Sequence, residues 1–292
     1  MFHLTRIAPT PSGFLHLGNV YSFALTSAIA KRTGADVLLR IDDMDQGRIQ
    51  PEYVQDIFDT LQFLGIGWQQ GPRDAADFRD NYSQLARLPL YHKYLQQLAD
   101  SGLVFACTCS RSGIQNHSPG GNYPGTCLHK KIPLDAPGAN WRLHTDNTAM
   151  VTVKRWNENA VTMPLPADMH YMIVRKKDGR PSYQLCSLAD DVHFGCDLVV
   201  RGNDLLHSTL AQLYLARQLE LKKFEEAAFF HHHLLLSAAK EKLSKSAGDT
   251  SVQHLRRQGK EPAAIFNAIA CMAGIDQAVN NAEQLAAAVL HF

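Results

Sequence analysis

Two short stretches of this 292-residue chain carry residues suited to phosphate chemistry. The first is Arg6-Ile7-Ala8-Pro9-Thr10-Pro11-Ser12-Gly13-Phe14-Leu15-His16-Leu17-Gly18-Asn19, and the second is Glu241-Lys242-Leu243-Ser244-Lys245-Ser246. When a carboxylate attacks the α-phosphate of ATP, pyrophosphate leaves and negative charge builds on the phosphates. A protein assists by placing donors and cations around that charge. The first stretch predicts a strand over 3–7, a turn rich in proline and glycine, and a helix starting near Gly18. A helix start presents free N–H groups to phosphate. Gly13 and Gly18 let backbone approach a ligand closely, and the His16 imidazole can donate to a phosphate oxygen. Lys242 and Lys245 are point charges able to follow a departing pyrophosphate. Alone, His16 would be a capping residue and the lysines a solvated loop; occurring together, they predict one ATP site.

Three of the six cysteines lie close together, as Cys107-Thr108-Cys109 and Cys127. In a chain without secretory features, such clustering favours a metal over a disulfide. Zinc takes four ligands in a tetrahedron, so three thiolates need a fourth donor, from Tyr123, His117 or His129. The intervening stretch 110–122 is rich in Ser, Gly and Asn. It has little apolar material to hold itself, so a metal staple suits it. Cys186, Cys196 and Cys271 read as buried thiols in apolar surroundings.

These residues need elements to position them. Parallel strands are predicted over 3–7 and 36–41, joined by a helix over 19–31 with Val20, Phe23, Ala24 and Ala28 on its inner face. Helices follow over 52–64 and 89–101, the latter beginning with a proline and stopping at Gly102. Residues 107–166 read as an insertion with short strands such as 149–154. Strands over 183–188, 197–201 and 229–236, and helices over 205–219, 262–273 and 282–291, complete the pattern. Strands alternating with helices predict an α/β sheet with ligands at the carboxyl ends of its strands.

Lys and Arg number 29 against 28 Asp and Glu, a net charge of +1. No bulk field therefore draws the chain to nucleic acid. RNA contact would rest on local patches: Arg175-Lys176-Lys177 with Arg180, Lys222-Lys223, and Arg256-Arg257 with Lys260. No apolar run is long enough to span a bilayer and no signal-peptide pattern opens the chain, so the expectation is a cytoplasmic protein, monomeric by default.

The two phosphate stretches resemble the HIGH and KMSKS signatures of class I aminoacyl-tRNA synthetases. The resemblance is to their glutamyl branch. Arg6 to Gly13 is similar to Arg-Phe-Ala-Pro-Ser-Pro-Thr-Gly, and Arg40-Ile41-Asp42-Asp43-Met44-Asp45 with Arg48 to Arg-Ile-Glu-Asp-x-Asp-x-x-Arg. Val200-Arg201-Gly202-Asn203-Asp204-Leu205-Leu206 is similar to Val-Arg-Gly-Glu-Asp-Leu-Leu. About 45 residues follow Ser246, where full glutamyl-tRNA synthetases carry a large anticodon-binding region. The chain therefore resembles the shortened branch, the glutamyl-Q tRNA(Asp) synthetases.

That resemblance implies a Rossmann-like parallel sheet with a zinc-binding insertion, a small C-terminal helical segment and no anticodon-binding domain. The expected division is 1–105 and 167–236 for the two halves of the catalytic domain, 106–166 for the insertion, and 237–292 for the lysine–serine loop and terminal helices. The implied chemistry is activation of glutamate by ATP with Mg²⁺, then transfer to queuosine in the anticodon of tRNA(Asp). His16 and Lys245 would be catalytic. Gly18, Asn19 and Lys242 would join them on ATP. Arg6, Ala8, Thr10, Asp42, Tyr183 and Arg201 would hold the amino acid: the arginines suit its side-chain carboxylate and Asp42 its ammonium. Structural Zn²⁺ would sit on Cys107, Cys109, Tyr123 and Cys127. Alternatives are a related ligase with another acceptor and a non-catalytic tRNA-binding relative. Three positions depart from the family pattern: Asp42 stands for glutamate, Asn203 for an acidic residue and Thr10 for serine. One methylene in a pocket is worth about 1–3 kcal/mol of selectivity, so Asp42 is expected to retune the amino-acid site.

Overall fold

A computed structural model describes residues 1–118, 120–235 and 251–290. In chain order its elements are β1 (Leu4–Ile7), α1 (Leu17–Thr33), β2 (Asp36–Leu39), α2 (Pro51–Phe63), a single turn α3 (Ala75–Asp77), α4 (Leu88–Asp100), β3 (Val104–Cys107) and α5 (Arg111–His117). There follow β4 (Asn140–Leu143), β5 (Met150–Arg155), β6 (Val161–Pro164), β7 (Ile173–Arg175), α6 (Tyr183–Phe194), β8 (Leu198–Gly202), α7 (Leu206–Gln218), α8 (Lys222–Glu225), β9 (Ala228–His232), α9 (Val252–Arg257), α10 (Pro262–Met272) and α11 (Ala282–Leu290). They divide into two compact units. One holds residues 1–86, 198–203 and 230–292, the other 87–197 and 204–229.

In the first unit β1 and β2 pair in parallel, Leu4 opposite Asp36 and Ile7 opposite Leu39. A parallel pair needs a long crossover, and α1 supplies it. The helix buries more than one stripe, because β1, β2, β8, α10 and α11 all pack against it. Ile29 rather than Ala28 continues its buried face. It ends at Gly34, whose φ of 74° is the left-handed conformation that closes a helix. The backbone ladder runs on past the strands: Arg40 N–H donates to the Ile7 carbonyl and Asp42 N–H to the Pro9 carbonyl, both at 2.9 Å. Residues 8–10 and 40–42 therefore lie side by side at the carboxyl ends of β1 and β2. On its other edge β2 is met by the segment ending in Gly71, with Leu39 N–H donating to the Gln70 carbonyl at 2.9 Å. β8 packs beside β1, and Arg6 Nη1 donates to the Val200 carbonyl at 3.1 Å.

In the second unit β3, β4 and β7 form an antiparallel sheet. A β5–β6 hairpin stands beside it in sequence, and Lys154 and Arg155 of β5 pair in parallel with Ala228 and Phe229. Asp190, wholly buried, accepts from Arg87 Nε at 2.7 Å, Arg87 Nη2 at 3.1 Å and the Tyr91 hydroxyl at 2.7 Å, tying α6 to α4.

The strand expected over 183–188 is instead the start of α6. Six residues of mixed polarity do not distinguish the two periods. Ser182 lies extended before the helix, Leu185, Cys186, Leu188 and Ala189 form a buried face at helical spacing, and Gly195 closes the helix at φ 78°. Cys271 is also corrected. It lies on the exposed side of α10, one step round from buried Ala270, while Cys186 and Cys196 are buried as expected. The strand expected over 229–236 ends at His232. The helix α9 was not expected. Among the described residues no helix is long and apolar enough to cross a membrane.

Candidate functional site

The first unit gathers most of the residues expected around ATP and the amino acid. His16 directly precedes α1 in extended conformation, and Asn19 Oδ1 accepts its backbone N–H at 3.0 Å. Asn19 thus shapes the helix start. His16 is half-buried and Gly18 follows in the first turn of the helix. Phosphate oxygens approaching that turn would meet backbone N–H groups and the positive end of a 17-residue helix.

Arg6 on β1 and Arg201 on β8 are both buried, on elements that pack together. Ala8 and Thr10 continue from β1 alongside residues 40–42. Asp42 is buried there too, with a partner not foreseen from sequence. Arg40 Nε donates to its Oδ1 at 2.8 Å and Arg40 Nη2 to its Oδ2 at 3.1 Å. On an extended chain residues two apart share a side, and that was the available signal. Asp43 points elsewhere: it accepts from the Ser83 hydroxyl at 2.6 Å and from Gln84 N–H at 2.7 Å, fixing the turn after β2. Tyr183 belongs to the other unit, where it opens α6 and is 44% exposed. Lys242 and Lys245 lie outside the described residues.

The second unit holds the candidate metal centre. Cys107 ends β3, and the Cys107, Cys109 and Cys127 sulfurs all lie within 4.8 Å of one another. Cys109 and Cys127 Sγ are 3.6 Å apart. Zinc–sulfur bonds of about 2.3 Å at tetrahedral angles put sulfurs about 3.7 Å apart, so the pair is already spaced as ligands. The Tyr123 hydroxyl accepts from Cys127 N–H at 2.7 Å, which places it at the cluster. No histidine of the described residues joins the cluster. His129 is exposed, and the side chain of His117 is outside the description.

Arg142, 6% exposed, lies with its guanidinium 3.8 Å from the centre of the Tyr123 ring. Its Nη1 donates to the Tyr171 carbonyl at 2.9 Å. Burial pushes the Cys107 thiol up, but hydrogen bonds from Tyr123 and Arg142 outweigh it and hold Cys107 below the usual thiol range. Burial and the neighbouring sulfurs push Cys109 up to about 11. Burial, then Cys107, raise the Tyr123 phenol above its ordinary value. Cys107 is thus the thiol held toward its thiolate, and a divalent cation is what would let three thiolates coexist. The donor set, spacing and charge all fit zinc. Arg142 is a residue the sequence did not point to, since only β4 pairing with β3 brings it there.

Beside the cluster is a cavity of about 410 Å³, lined among others by Arg111, Tyr123, Arg142, Asp168 and Gln184. Of the basic patches, Arg175 lies over the Trp141 ring, Lys177 donates to the Thr108 carbonyl, and Arg256 pairs with Asp56; Lys222 and Lys223 are exposed.

Buried arginines on packed strands and a helix start preceded by histidine thus lie together in an α/β core. Residues 4–131 and 136–286 match the family described as tRNA synthetases class I (E and Q), catalytic domain. The chain belongs to that family of ligases.

Within the family it is 32% identical over 287 residues to the glutamyl-Q tRNA(Asp) synthetase of Nitratidesulfovibrio vulgaris, covering 92% of this chain and 86% of that protein. It is likewise 32% identical over 281 residues to the glutamate–tRNA ligase of Ectopseudomonas mendocina, covering 90% of this chain. That match takes in 55% of the ligase, so the chain spans little more than half the length of such relatives. A crystal structure of glutamate-tRNA synthetase from Elizabethkingia anophelis superposes with a TM-score of 0.78 at 21% identity, over 98% of this chain and 65% of that one. It shares the fold.

Proposed function

We propose that this chain activates glutamate with ATP and transfers the glutamyl group to queuosine in the anticodon of tRNA(Asp). The observation that carries the glutamyl reading is the pair of buried arginines, Arg6 and Arg201, on the packed strands β1 and β8. Guanidinium groups bind carboxylate bidentately. The match to a glutamyl-Q tRNA(Asp) synthetase over most of that relative's own length supports the acceptor.

In the first step an oxygen of the amino acid's α-carboxylate attacks the α-phosphorus. The bond to the bridging oxygen breaks and pyrophosphate leaves, giving glutamyl-adenylate. His16 and the Gly18–Asn19 helix start receive phosphate charge, and Lys242 and Lys245 would follow the departing pyrophosphate; Mg²⁺ bound with ATP would supply further positive charge. Arg6 and Arg201 hold the side-chain carboxylate, Ala8 and Thr10 line the same strand end, and Asp42 faces the ammonium. In the second step a hydroxyl of the queuosine cyclopentenediol attacks the activated carbonyl. An ester forms, AMP leaves with the bonding pair, and the hydroxyl proton passes to solvent. No protein nucleophile is required.

Cys107, Cys109, Tyr123 and Cys127 would hold Zn²⁺ in a closed, four-ligand structural site. Its contribution would be to stabilise the residues after β3. We further assign the chain to the cytoplasm, as a monomer divided at 105, 166 and 236.

The test is pyrophosphate exchange into ATP, without tRNA, across the twenty amino acids. Exchange with glutamate alone is expected. Transfer is then measured to tRNA(Asp) containing queuosine and to the same tRNA with guanine at that position. Charging of both at the 3′ end would replace the queuosine reading by that of a glutamate–tRNA ligase. Exchange with another amino acid would overturn the glutamyl assignment.

A further inference from the structure

Asp56 lies on α2, is 2% exposed, and takes no part in the chemistry described above. Its two oxygens serve different parts of the first unit. Oδ2 accepts the backbone N–H of Leu15 at 3.1 Å. Oδ1 accepts Arg256 Nη2 of α9 at 3.1 Å and the Thr60 hydroxyl at 3.3 Å.

Leu15 is the residue before His16, and its carbonyl is also committed. It accepts Val252 N–H at 2.8 Å, while His16 and Ser251 form an antiparallel bridge. Ser251 in turn caps α9, its hydroxyl accepting His254 N–H at 3.1 Å. Arg256 is held further by Asp59 at 3.8 Å and lies 5.8 Å from the centre of the Phe63 ring. One carboxylate thus fixes both the turn that presents His16 and the helix that begins six residues after Ser246 in the sequence.

Burial pushes the Asp56 carboxyl up, and the Leu15 N–H and Arg256 work against that. A hydrophobic residue would fill the same space without desolvating a charge. What a hydrophobic residue cannot do is fix the direction of two partners at once.

We propose that Asp56 is a positioning residue for the nucleotide end of the site. It sets the His16 turn and the start of α9 in one register, with Arg256 as its lever. The inference rests on the adenylate-forming reading. It makes a demand that a merely stabilising contact would not: the effect falls on ATP and spares the amino acid, because the hydrogen bonds of Asp56 go to Leu15, Thr60 and Arg256 and not to the strands that carry Arg6 and Arg201.

Pyrophosphate exchange is measured for the unsubstituted chain, Asp56→Asn, Arg256→Gln, Arg256→Lys and the double variant Asp56→Asn with Arg256→Gln. The expected result is a KM for ATP raised at least fivefold by either Asp56→Asn or Arg256→Gln, with the KM for glutamate within twofold of normal. Arg256→Lys should fall between, and the double variant should be no worse than the poorer single one. A KM for ATP within twofold of normal in both single variants, equal effects on both substrates, or effects that multiply in the double variant would overturn the inference. Arg256 is partly exposed, so Arg256→Gln carries the same readout if Asp56→Asn does not fold. An unsubstituted chain with no exchange, with or without tRNA, overturns the adenylate reading itself, and this inference with it.

Discussion

Replacing Asp42 by asparagine removes one charge from a buried pair while keeping the side chain's size. Arg40 now faces an amide nitrogen where it met an oxygen, so one of its two hydrogen bonds, at 2.8 and 3.1 Å, becomes a donor–donor contact. The two side chains are 2% and 8% exposed, so water does not restore what is lost. Unit charges about 4 Å apart interact by about 4 kcal/mol at an effective dielectric near 20. Removing one member of a buried pair costs roughly 3–5 kcal/mol in measured cases. The two figures agree, and we take about 3 kcal/mol as the expected loss, because asparagine keeps one acceptor. With a urea slope of about 1–3 kcal/mol per molar, the midpoint should fall by roughly 1–3 M. Trp68 is the tryptophan of the first unit, stacked obliquely on Phe58 at 6.0 Å. A background with Trp141→Phe and Trp156→Phe therefore reports this unit's unfolding by fluorescence. Adding Arg40→Gln should cost little more than Asp42→Asn alone, a coupling of at least about 1.5 kcal/mol. A loss below about 1 kcal/mol, or additive effects, would refute the pairing as a buried, charge-dependent contact.

Three further outcomes follow from particular contacts. The chain should bind one equivalent of zinc, and cobalt in its place should give the charge-transfer bands of a tetrahedral site with three thiolates; Cys127→Ser should abolish both. In Arg142→Gln, which removes the cation over Tyr123, release of zinc to a chelator should quicken by roughly tenfold, the usual effect of an outer-shell partner; unchanged release would place Arg142 outside the metal's influence. Gly71→Ala should destabilise the first unit by about 2–3 kcal/mol, since Gly71 has φ +99° and an added Cβ would sit 2.2 Å from the Leu39 carbonyl oxygen; the same urea titration reads it.

What could be read in the sequence follows the range of the forces involved. Strand–turn–helix at the His16 segment was legible because caps, glycines and apolar periodicity act within a few residues. The cysteine cluster was legible because Cys107 and Cys109 are neighbours and little else competes for their role. The stretch 183–188 was misread because a short mixed run suits either period, and Gly195, which ends α6, lies beyond the window that suggested a strand. Arg142 and Asp56 were not legible at all. One reaches its partners through β4 pairing with β3, the other through a helix 200 residues along the chain. Arg256 shows the same limit from the other side: a basic run in sequence suggests RNA, yet this arginine is spent on an internal carboxylate.

The Arg40–Asp42 pair also gives the family departure a physical meaning. A glutamate at position 42 would carry its carboxylate one methylene further from the backbone than the place where Arg40 holds that of Asp42. Aspartate is short enough to be held by both guanidinium nitrogens. A substrate ammonium would therefore meet an anion already half-neutralised, and would bind to it less strongly than to a lone carboxylate. Among the described residues, three buried arginines, Arg6, Arg40 and Arg201, and two buried aspartates, Asp42 and Asp43, lie at or just beyond the carboxyl ends of β1, β2 and β8. Among these five side chains the formal balance is one positive charge. An amino acid with two carboxylates and one ammonium carries one negative charge, opposite in sign, whereas a neutral amino acid carries none. That sign agrees with the proposed selection of an acidic amino acid, and an aspartate already paired with Arg40 repels its carboxylates less than a lone anion would.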